Sequence, residues 1–414
     1  MNMTQRVRAL SWVSVLYFLF VSSLLISMSL MELMGGVLLL WFLVDCVRKP
    51  ESWREAFPSG RLNAIYAFFL VVVAAGFLFK ASHEAPWFKR IGEFKWYFYL
   101  AALYWFFIKN QIADFFQKSI LWFLLVAALY GLGTFIFKMD LIDPSGIPES
   151  PFRVGGFFSN PMVYAQSLVL FVSVLWGIFL RDWKNKIQDR LFVVVLILTT
   201  LNVVLTFTRG VWIALFFSIL IGAFLVNWKM GLKTLVAGLI SLGLAFAFVS
   251  PVRERMLQAF DSKKSYDSER VVVWQTNLKI FFENPLLGIG YGENKRRLRE
   301  YYDRYGVPAG QFEGHAHNQY LHFMAGTGVL GLVAYLLLNG FFLISSWQVY
   351  RCNESPSVKA LSLGLLMAQV SFALAALTES NFEHARVKYA LIFIWAMVMA
   401  LRFPGKPKGL LNLK

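Results

Sequence analysis

Residues 191–228 read LFVVVLILTTLNVVLTFTRGVWIALFFSILIGAFLVNW, two apolar runs joined by a short turn. Between Leu191 and Trp228 the sequence has a single charged residue, Arg209, which lies in the turn Thr206–Gly210. A membrane with a hydrocarbon core about 30 Å thick takes roughly 20 helical residues. The stretch therefore predicts two successive membrane-spanning helices, Leu191–Phe207 and Val211–Trp228, with a cation at the membrane surface between them.

The whole chain has the same character as this stretch. Of its 414 residues, 58% are apolar and 15% are charged, whereas soluble domains carry roughly 25% charged residues. So few charges could not cover the surface of a soluble protein of this length, which excludes soluble multidomain enzymes, disordered chains and disulfide scaffolds. The 41 Phe, 14 Trp and 16 Tyr residues suit a bilayer protein with aromatic belts at both interfaces.

Hydropathy predicts an all-α polytopic integral membrane protein with about twelve transmembrane helices. The predicted spans are Leu10–Ser27, Leu30–Val47, Leu62–Phe79, Trp96–Ile108, Ser119–Phe137, Pro161–Leu180, Leu191–Phe207, Val211–Trp228, Thr234–Ser250, Gly326–Tyr350, Ala360–Thr378 and Val387–Leu401. This divides the chain into three parts. Residues 1–250 hold transmembrane helices 1–9, residues 251–325 form a long periplasmic loop with short amphipathic helices, and residues 326–414 hold helices 10–12 and a cytoplasmic tail.

The distribution of Lys and Arg predicts the orientation. An even number of spans puts both termini on one side of the membrane. With the N-terminus inside, the inner segments hold 20 basic residues, against 9 on the outer side once the long loop is left out, counting Lys388 at the outer end of the last span. Short loops set orientation by their positive charge, so both termini are predicted to be cytoplasmic. Cys46 and Cys352 then lie at cytosolic helix ends, where no disulfide is expected.

The chain carries a net charge of +16. Nucleic-acid binding does not explain this excess, because the basic residues sit in short loops between apolar runs. Anionic headgroups or an anionic substrate are the better candidates. Eleven Lys and Arg residues lie within Pro251–Ala316. Membrane insertion does not require them, because long loops cross regardless of charge.

Two short motifs place arginines on the predicted outer face. Arg209 can be an interface anchor or a ligand-binding cation, and Gly210 beside it allows a tight turn. Ser268 is predicted to cap a helix that carries Arg270 in its first turn. A cation in that place opposes the helix dipole, so an anion should compensate it, either Glu269 or a bound phosphate. One face of this helix is predicted to lie on the membrane surface: Val271, Trp274, Leu278 and Phe281.

Three of the five histidines fall within the segment 315–322. A metal site is disfavoured there, because His315, His317 and His322 lack the i, i+4 spacing of zinc hydrolases and no cysteine is near. A single interfacial histidine is usually structural. A cluster next to the polar Asn318 favours a catalytic histidine, because imidazole can take a proton near neutral pH.

The stretch Lys295–Arg304 is strongly basic and contains two tyrosines. It is interpreted as a surface that binds headgroups, with sugar stacking or docking of a phosphorylated acceptor as alternatives. Before it, Asn284–Pro285 ends the predicted helix, and Gly288, Gly290 and Gly292 follow. Because no clear strand precedes these glycines, they do not indicate a dinucleotide fold.

The order of these motifs resembles that of the O-antigen ligase family of bacterial envelope enzymes, within a wider superfamily of ligases and polymerases. The most specific matches are Thr208-Arg209-Gly210, Ser268–Trp274, Asn284–Gly290 and His317–Leu321. The segment Arg153–Asn160 and Glu379 also look like family elements. Each motif is weak alone, and the resemblance depends on the ordered set.

The resemblance implies transfer of a finished polysaccharide from undecaprenyl diphosphate to the lipid A–core of lipopolysaccharide. This transfer takes place at the periplasmic face of the inner membrane, without a metal, a nucleotide or another cofactor. Arg209 and Arg270 would bind the diphosphate, and His317 would act as the general base. Weaker site candidates are His315, Arg153, Asn318 and Glu379. The implied partners are the lipid-linked donor, the lipid A–core acceptor and membrane lipids.

Two other functions remain open from the sequence. An O-antigen polymerase has similar chemistry and a different acceptor. A lipid or sugar transporter also has about twelve spans, but transporters place ionisable residues and broken helices near the bilayer midplane. Here the polar residues collect at one face, which favours an enzyme.

Overall fold

The computed structural model describes residues 12–79, 92, 95–109, 113–139, 152–158, 160–257, 266–308 and 314–404. Within these ranges the regular structure is helical and contains no strand, as expected for the all-α class. The start of the first predicted span and the predicted cytoplasmic tail beyond Pro404 lie outside the described residues.

The helices are α1 Trp12–Ile26, α2 Met28–Arg48, α3 Pro50–Ala56, α4 Gly60–Phe79, α5 Lys95–Lys109, α6 Ala113–Phe137, α7 Pro161–Arg181, α8 Trp183–Lys186, α9 Arg190–Leu205, α10 Arg209–Val226, α11 Trp228–Phe248, α12 Ser250–Leu257, α13 Tyr266–Glu283, α14 Glu293–Arg296, α15 Leu298–Tyr305, α16 Gln319–Cys352, α17 Pro356–Ala375 and α18 Ala385–Arg402. Short 3₁₀ turns occur at Gly156–Phe158 and Asn381–Glu383.

Each of the twelve predicted spans overlaps one of these helices. Among the residues that the structure describes, eight helices are long and apolar enough to cross a membrane, namely α2, α4, the Ser119–Phe137 part of α6, α7, α10, α11, α16 and α17. The predicted first and seventh spans fall on shorter apolar helices, Val15–Ile26 and Arg190–Leu205. The structure therefore supports a polytopic membrane protein, and the full number of twelve spans stays a prediction.

Helices α7 and α17 form the centre of the bundle. About 78% of the apolar window of α7 and 72% of that of α17 is buried, compared with 6% for α11. Gly177 of α7 faces Gly364 of α17 so closely that a Cβ on Gly177 would overlap the Gly364 backbone. Small residues allow this close approach of two helices in a membrane. Helix α11 therefore lies at the periphery.

Helix α16 begins at Gln319, earlier than the predicted tenth span Gly326–Tyr350. The Asn318 side chain caps it by accepting hydrogen bonds from the backbone N–H groups of Tyr320 (3.0 Å) and Leu321 (3.1 Å). The helix is broken at Gly328, where φ is 65° and ψ is −165°. Hydropathy detected the part beyond this break, and the first part is a separate helical segment that follows the histidine motif.

The glycine-rich loop after α13 packs into the break of α16. The N–H groups of Ile289 and Gly290 donate to the carbonyls of Ala325 (3.1 Å) and Gly326 (2.8 Å). In return, the Val329 N–H donates to the Pro285 carbonyl at 2.8 Å. The loop thus satisfies polar backbone groups that the interrupted helix leaves open.

Helix α13 differs from its prediction at its start. Ser268 lies inside the helix, which begins at Tyr266, so its prediction as the capping residue was wrong. The face predicted to lie on the membrane does not belong to the buried side of the helix, and its first residue, Val271, is 47% exposed; contact of this face with the membrane stays a prediction. The residues that face the protein are Val273, Thr276, Asn277 and Ile280. Polar Thr276 and Asn277 point inward because Asn277 has a buried partner, as described below.

Candidate active site

Three chain segments meet at one end of the bundle: the turn Thr206–Gly210, the loop before α16, and the segment that joins α17 to α18. Gly210 lies against Thr378, and a Cβ there would overlap the threonine hydroxyl. The Gln319 N–H donates to the Ala376 carbonyl (2.8 Å), and the Asn318 amide donates to the Leu377 carbonyl (3.1 Å). Asn318 therefore holds the helix start and the neighbouring segment together.

Glu379 contacts two of the predicted site residues, Arg270 and His317. It is 2% exposed, and its two oxygens have different partners. Oε1 accepts from Arg270 Nη2 at 2.7 Å, and Oε2 lies 2.9 Å from His317 Nδ1. Burial by itself raises the pKa of Glu379, but the hydrogen bond from His317 and the charge of Arg270 lower it, and the net shift is downward. The carboxylate is therefore ionised at neutral pH.

The partners of Glu379 fix the tautomer of His317. An ionised carboxylate can only accept hydrogen bonds, so His317 Nδ1 must carry the hydrogen. The neutral imidazole then has its lone pair on Nε2 and can accept a proton there. Arg270 and His317, which the sequence placed in separate motifs, are thus joined through one acid. The side chain of Glu269, the alternative anion, is outside the part of the chain that the structure describes.

The backbone at His317 has a left-handed conformation, with φ 47°. This region is uncommon for a residue other than glycine, and such conformations collect at functional sites. Trp274 Nε1 donates to the Ala316 carbonyl at 2.9 Å, which ties the loop to α13. Contacts on both sides therefore hold the imidazole in place.

His315 lies beside His317, with ring centroids 4.2 Å apart. Its Nδ1 accepts a weak hydrogen bond from the His317 backbone N–H at 3.4 Å. Burial, together with the neighbouring His317, lowers the pKa of His315 from 6.5 to about 3. His315 therefore stays neutral at physiological pH and can donate a hydrogen bond through Nε2.

This pKa gives a prediction about stability. Between pH 6.5 and about 3, His315 binds a proton in the unfolded chain but not in the folded protein. The free energy of unfolding therefore falls as the pH drops below 6.5. Between pH 7.5 and 5, we expect the free energy of unfolding of His315→Gln to fall by about 1–2 kcal/mol less than that of the wild type. Thermal unfolding of the detergent-solubilised variants measures this, and equal losses in wild type and variant would contradict it.

Arginines surround the turn Thr206–Gly210. Arg153 donates through Nε to the Thr206 carbonyl (2.9 Å) and through Nη2 to Thr208 Oγ1 (3.2 Å). Arg255 Nε lies 3.4 Å from the Phe207 carbonyl. Arg209 starts α10 in the same turn, and the neighbouring Gly210 lies against Thr378. Sequence reasoning missed Arg255, because it lies in no recognisable motif among the basic residues of the long loop.

A second buried pair lies next along α16. His322 is fully buried, with Nε2 3.2 Å from Glu383 Oε1 and Nδ1 3.1 Å from the Asn294 amide. Tyr291 donates to Glu383 at 2.7 Å, and the Asn294 amide donates to Asn277 at 2.7 Å. Burial raises the pKa of Glu383, but the charge and hydrogen bond of His322 outweigh it and lower the pKa. This network binds the glycine-rich loop and α13 to α16.

Most of the basic stretch Lys295–Arg304 is neutralised by neighbouring acids. Its ion pairs are Arg296–Glu293 (2.7 Å), Arg297–Glu300 (2.6 Å), Arg299–Asp303 (3.2 Å) and Arg304–Glu283 (3.1 Å). Lys295 is exposed and forms no ion pair with any residue that the structure describes. Its charge contributes to lowering the pKa of His384, after the larger effect of burial.

The donor atoms of His315, His317 and Glu379 lie within 4.8 Å of one another, and these are ligand types that bind zinc. Two features of the site act against a dication. Arg270 already occupies one oxygen of Glu379, and the arginines around the neighbouring turn repel positive charge. The electrostatics of the site therefore favour an anionic ligand.

Comparison with known families concerns the middle of the chain. Residues 192–336 match the model of a family described as O-antigen ligase. This region is therefore similar to the O-antigen ligase family. None of the curated proteins compared with the chain matches it.

The region that matches the family model contributes most of the site but not all of it. Arg209, Arg255, Arg270, His315 and His317 lie within residues 192–336. Arg153 precedes this region and Glu379 follows it. Because Glu379 contacts both Arg270 and His317, the segment between α17 and α18 completes the arrangement of side chains.

Proposed function

We propose that this protein is an O-antigen ligase, which transfers a polysaccharide from undecaprenyl diphosphate to the lipid A–core of lipopolysaccharide. The reaction takes place at the periplasmic face of the bacterial inner membrane, and both termini are cytoplasmic. The observation that supports this most directly is the shared contact of Arg270 and His317 with buried Glu379. It places a cation that can bind phosphate next to a base that can activate a hydroxyl.

In this proposal His317 removes the proton from the acceptor sugar. The acceptor hydroxyl oxygen forms a bond to the anomeric carbon of the donor, and its proton passes to His317 Nε2. The bond between that carbon and the diphosphate oxygen breaks, and its electron pair leaves with the diphosphate. Attack opposite the leaving group inverts the anomeric carbon. General base catalysis of this kind typically contributes about 10²–10⁴-fold.

The arginines stabilise the departing diphosphate. Its negative charge grows as the glycosidic bond breaks, and fixed guanidinium groups can offset this charge. The fork of an arginine binds two phosphate oxygens at once. The hydrogen bond to Glu379 uses one nitrogen of Arg270, so the other N–H groups of Arg270 remain suited to a phosphate. Arg209 is the second arginine assigned to the diphosphate, and Arg153 and Arg255 support the turn that carries it.

Replacing Arg270 with lysine keeps the charge and removes the fork. We expect transfer to fall at least tenfold, because bidentate phosphate binding and the bond to Glu379 cannot both be kept. The rate of conjugate formation with the purified variant measures this. Arg299→Lys is the matched control, since Arg299 is half-exposed and pairs with Asp303 one turn further along the same helix. A wild-type rate for Arg270→Lys would remove the bidentate assignment.

The reaction should need neither metal nor nucleotide. We expect undiminished transfer after dialysis against a chelator and with no nucleotide added, because the arginines supply the positive charge. Conjugate formation before and after chelation measures this. Activity that disappears with chelator and returns with a divalent metal would instead favour metal binding by His315, His317 and Glu379.

One reconstitution tests the proposed function. Purified protein is given lipid-linked glycan with rough lipopolysaccharide, or the glycan donor alone. A ligase forms a new conjugate with lipopolysaccharide and leaves the length of the glycan unchanged. A product that grows longer from the donor alone would identify a polymerase of the same superfamily. No product under either condition would contradict both assignments.

A further inference from the structure

A cavity of about 660 Å³ lies at the end of the bundle opposite the candidate active site. Its walls come from the end of α7, the short helix α8, the end of α10 and the start of α11. Helix α10 begins at Arg209 in the candidate site, so its far end at Val226 is on the other side of the bundle. The cavity is therefore separate from the site described above.

Four cations line this cavity: Arg181, Lys184, Lys229 and Lys233. Across the described ranges, none of them forms an ion pair. The lining contains one acid, Asp182, whose carboxylate accepts a hydrogen bond from the Asn185 amide at 2.6 Å. The cavity thus has a clear excess of positive charge, contributed by two separate chain segments.

The rule that short inner loops carry basic residues explains the positive charge at this end of the bundle. It does not explain why these residues line a cavity. Short inner loops need basic residues, which can sit anywhere on an exposed surface. Here the cations from the two segments converge on one concave space. Basic pockets between transmembrane helices on the inner side of a membrane bind the headgroups of anionic lipids.

The surroundings of the cavity suit a lipid better than a soluble anion. Leu180, Val226 and Met230 add apolar surface to its lining. Trp183 and Trp228, which are 45% and 64% exposed, lie at the same level, and tryptophan prefers the membrane–water interface. Below them runs α11, whose apolar window is only 6% buried. A headgroup in the cavity would leave its acyl chains along this helix.

We infer that the cavity binds the headgroup of an anionic phospholipid. The phosphodiester oxygens accept hydrogen bonds from Lys229, Lys233 and Arg181, whose positive charges balance that of the phosphate. The acyl chains lie against α11. This site is independent of the transfer reaction, and neither His317 nor Glu379 takes part in it.

Native mass spectrometry of the full-length protein, titrated with cardiolipin or with phosphatidylcholine, tests this inference. We expect cardiolipin to remain bound and phosphatidylcholine to dissociate. The double variant Lys229→Gln/Lys233→Gln should bind cardiolipin roughly 20- to 30-fold more weakly. Its matched control is Lys186→Gln/Arg190→Gln, which removes two charges from the same end of the bundle outside the cavity lining.

Three outcomes would overturn the inference. Equal losses in both double variants would show that diffuse surface charge attracts the lipid. Unchanged binding in Lys229→Gln/Lys233→Gln would exclude the cavity. Displacement of cardiolipin by excess inorganic phosphate would identify a site for a soluble anion. Conjugate formation is measured separately on the same samples. Loss of transfer would contradict the proposed function without affecting the inference about lipid binding.

Discussion

Replacing His317 with alanine is expected to abolish attachment of polysaccharide to lipopolysaccharide while the protein remains folded in the membrane. The variant loses the imidazole Nε2 that accepts the proton of the acceptor hydroxyl. Loss of a general base costs about 10²–10⁴-fold in rate, which leaves no visible polysaccharide ladder on a gel. The purified variant should show the same loss in the rate of conjugate formation.

The control for this variant is His384→Gln. His384 is another half-buried histidine at the same end of the bundle, and its ring lies 5.8 Å from that of His315. No hydrogen bond joins it to Glu379 in the described part of the chain. We expect less than tenfold loss of transfer. A normal ladder with His317→Ala, or equal losses in both variants, would remove the assignment of His317 as the base.

Replacing Glu379 with glutamine should reduce transfer as severely. The amide keeps the size of the side chain but cannot accept from both Arg270 and His317. An amide nitrogen facing His317 would favour the wrong tautomer, an effect that can reach about 10⁴-fold in rate. Breaking a buried ion pair from one side also costs about 3–5 kcal/mol of stability. Transfer must therefore be measured per folded molecule, together with thermal unfolding.

Glu383→Gln separates catalysis from stability. Glu383 is also a carboxylate paired with a buried histidine, His322, but it has no contact with His317 among the described residues. We expect this variant to lose stability like Glu379→Gln and to retain transfer in its folded fraction. If the two variants lose the same share of transfer per folded molecule, Glu379 has a structural role only.

Hydropathy predicted the positions of the helices well, because a long apolar run has few alternatives to a buried or membrane-spanning helix. It could not predict how α16 begins. The polar residues before Gly326 read as loop, whereas the Asn318 cap starts a helical segment there. The polar residues on the buried face of α13, Thr276 and Asn277, were not singled out either, because the hydrogen bond from Asn294 to Asn277 joins segments that no local pattern relates.

Within the candidate site, local motifs identified His317, Arg270 and Arg209 as residues of interest. Their relation depends on contacts between residues far apart in sequence, such as Arg270 with Glu379, and no local pattern encodes those. Glu379 therefore ranked among the weaker candidates, although it is the acid that joins the other two. Arg255 and Glu383 carried no signal, because a single arginine or acid in a loop is common, and His322 was noted only as a member of the histidine cluster.

The break at Gly328 divides α16 into a long part embedded in the bundle and a short first segment that begins directly after His317 and Asn318. Main-chain hydrogen bonds from the segment 285–290 fix the angle between the two parts, so residues remote from His317 also help to position the histidine motif. A side chain at Gly328 would overlap the Leu286 backbone. A substitution at Gly328 would therefore displace the histidine motif and abolish the proposed transfer, although every proposed reacting group would still be present.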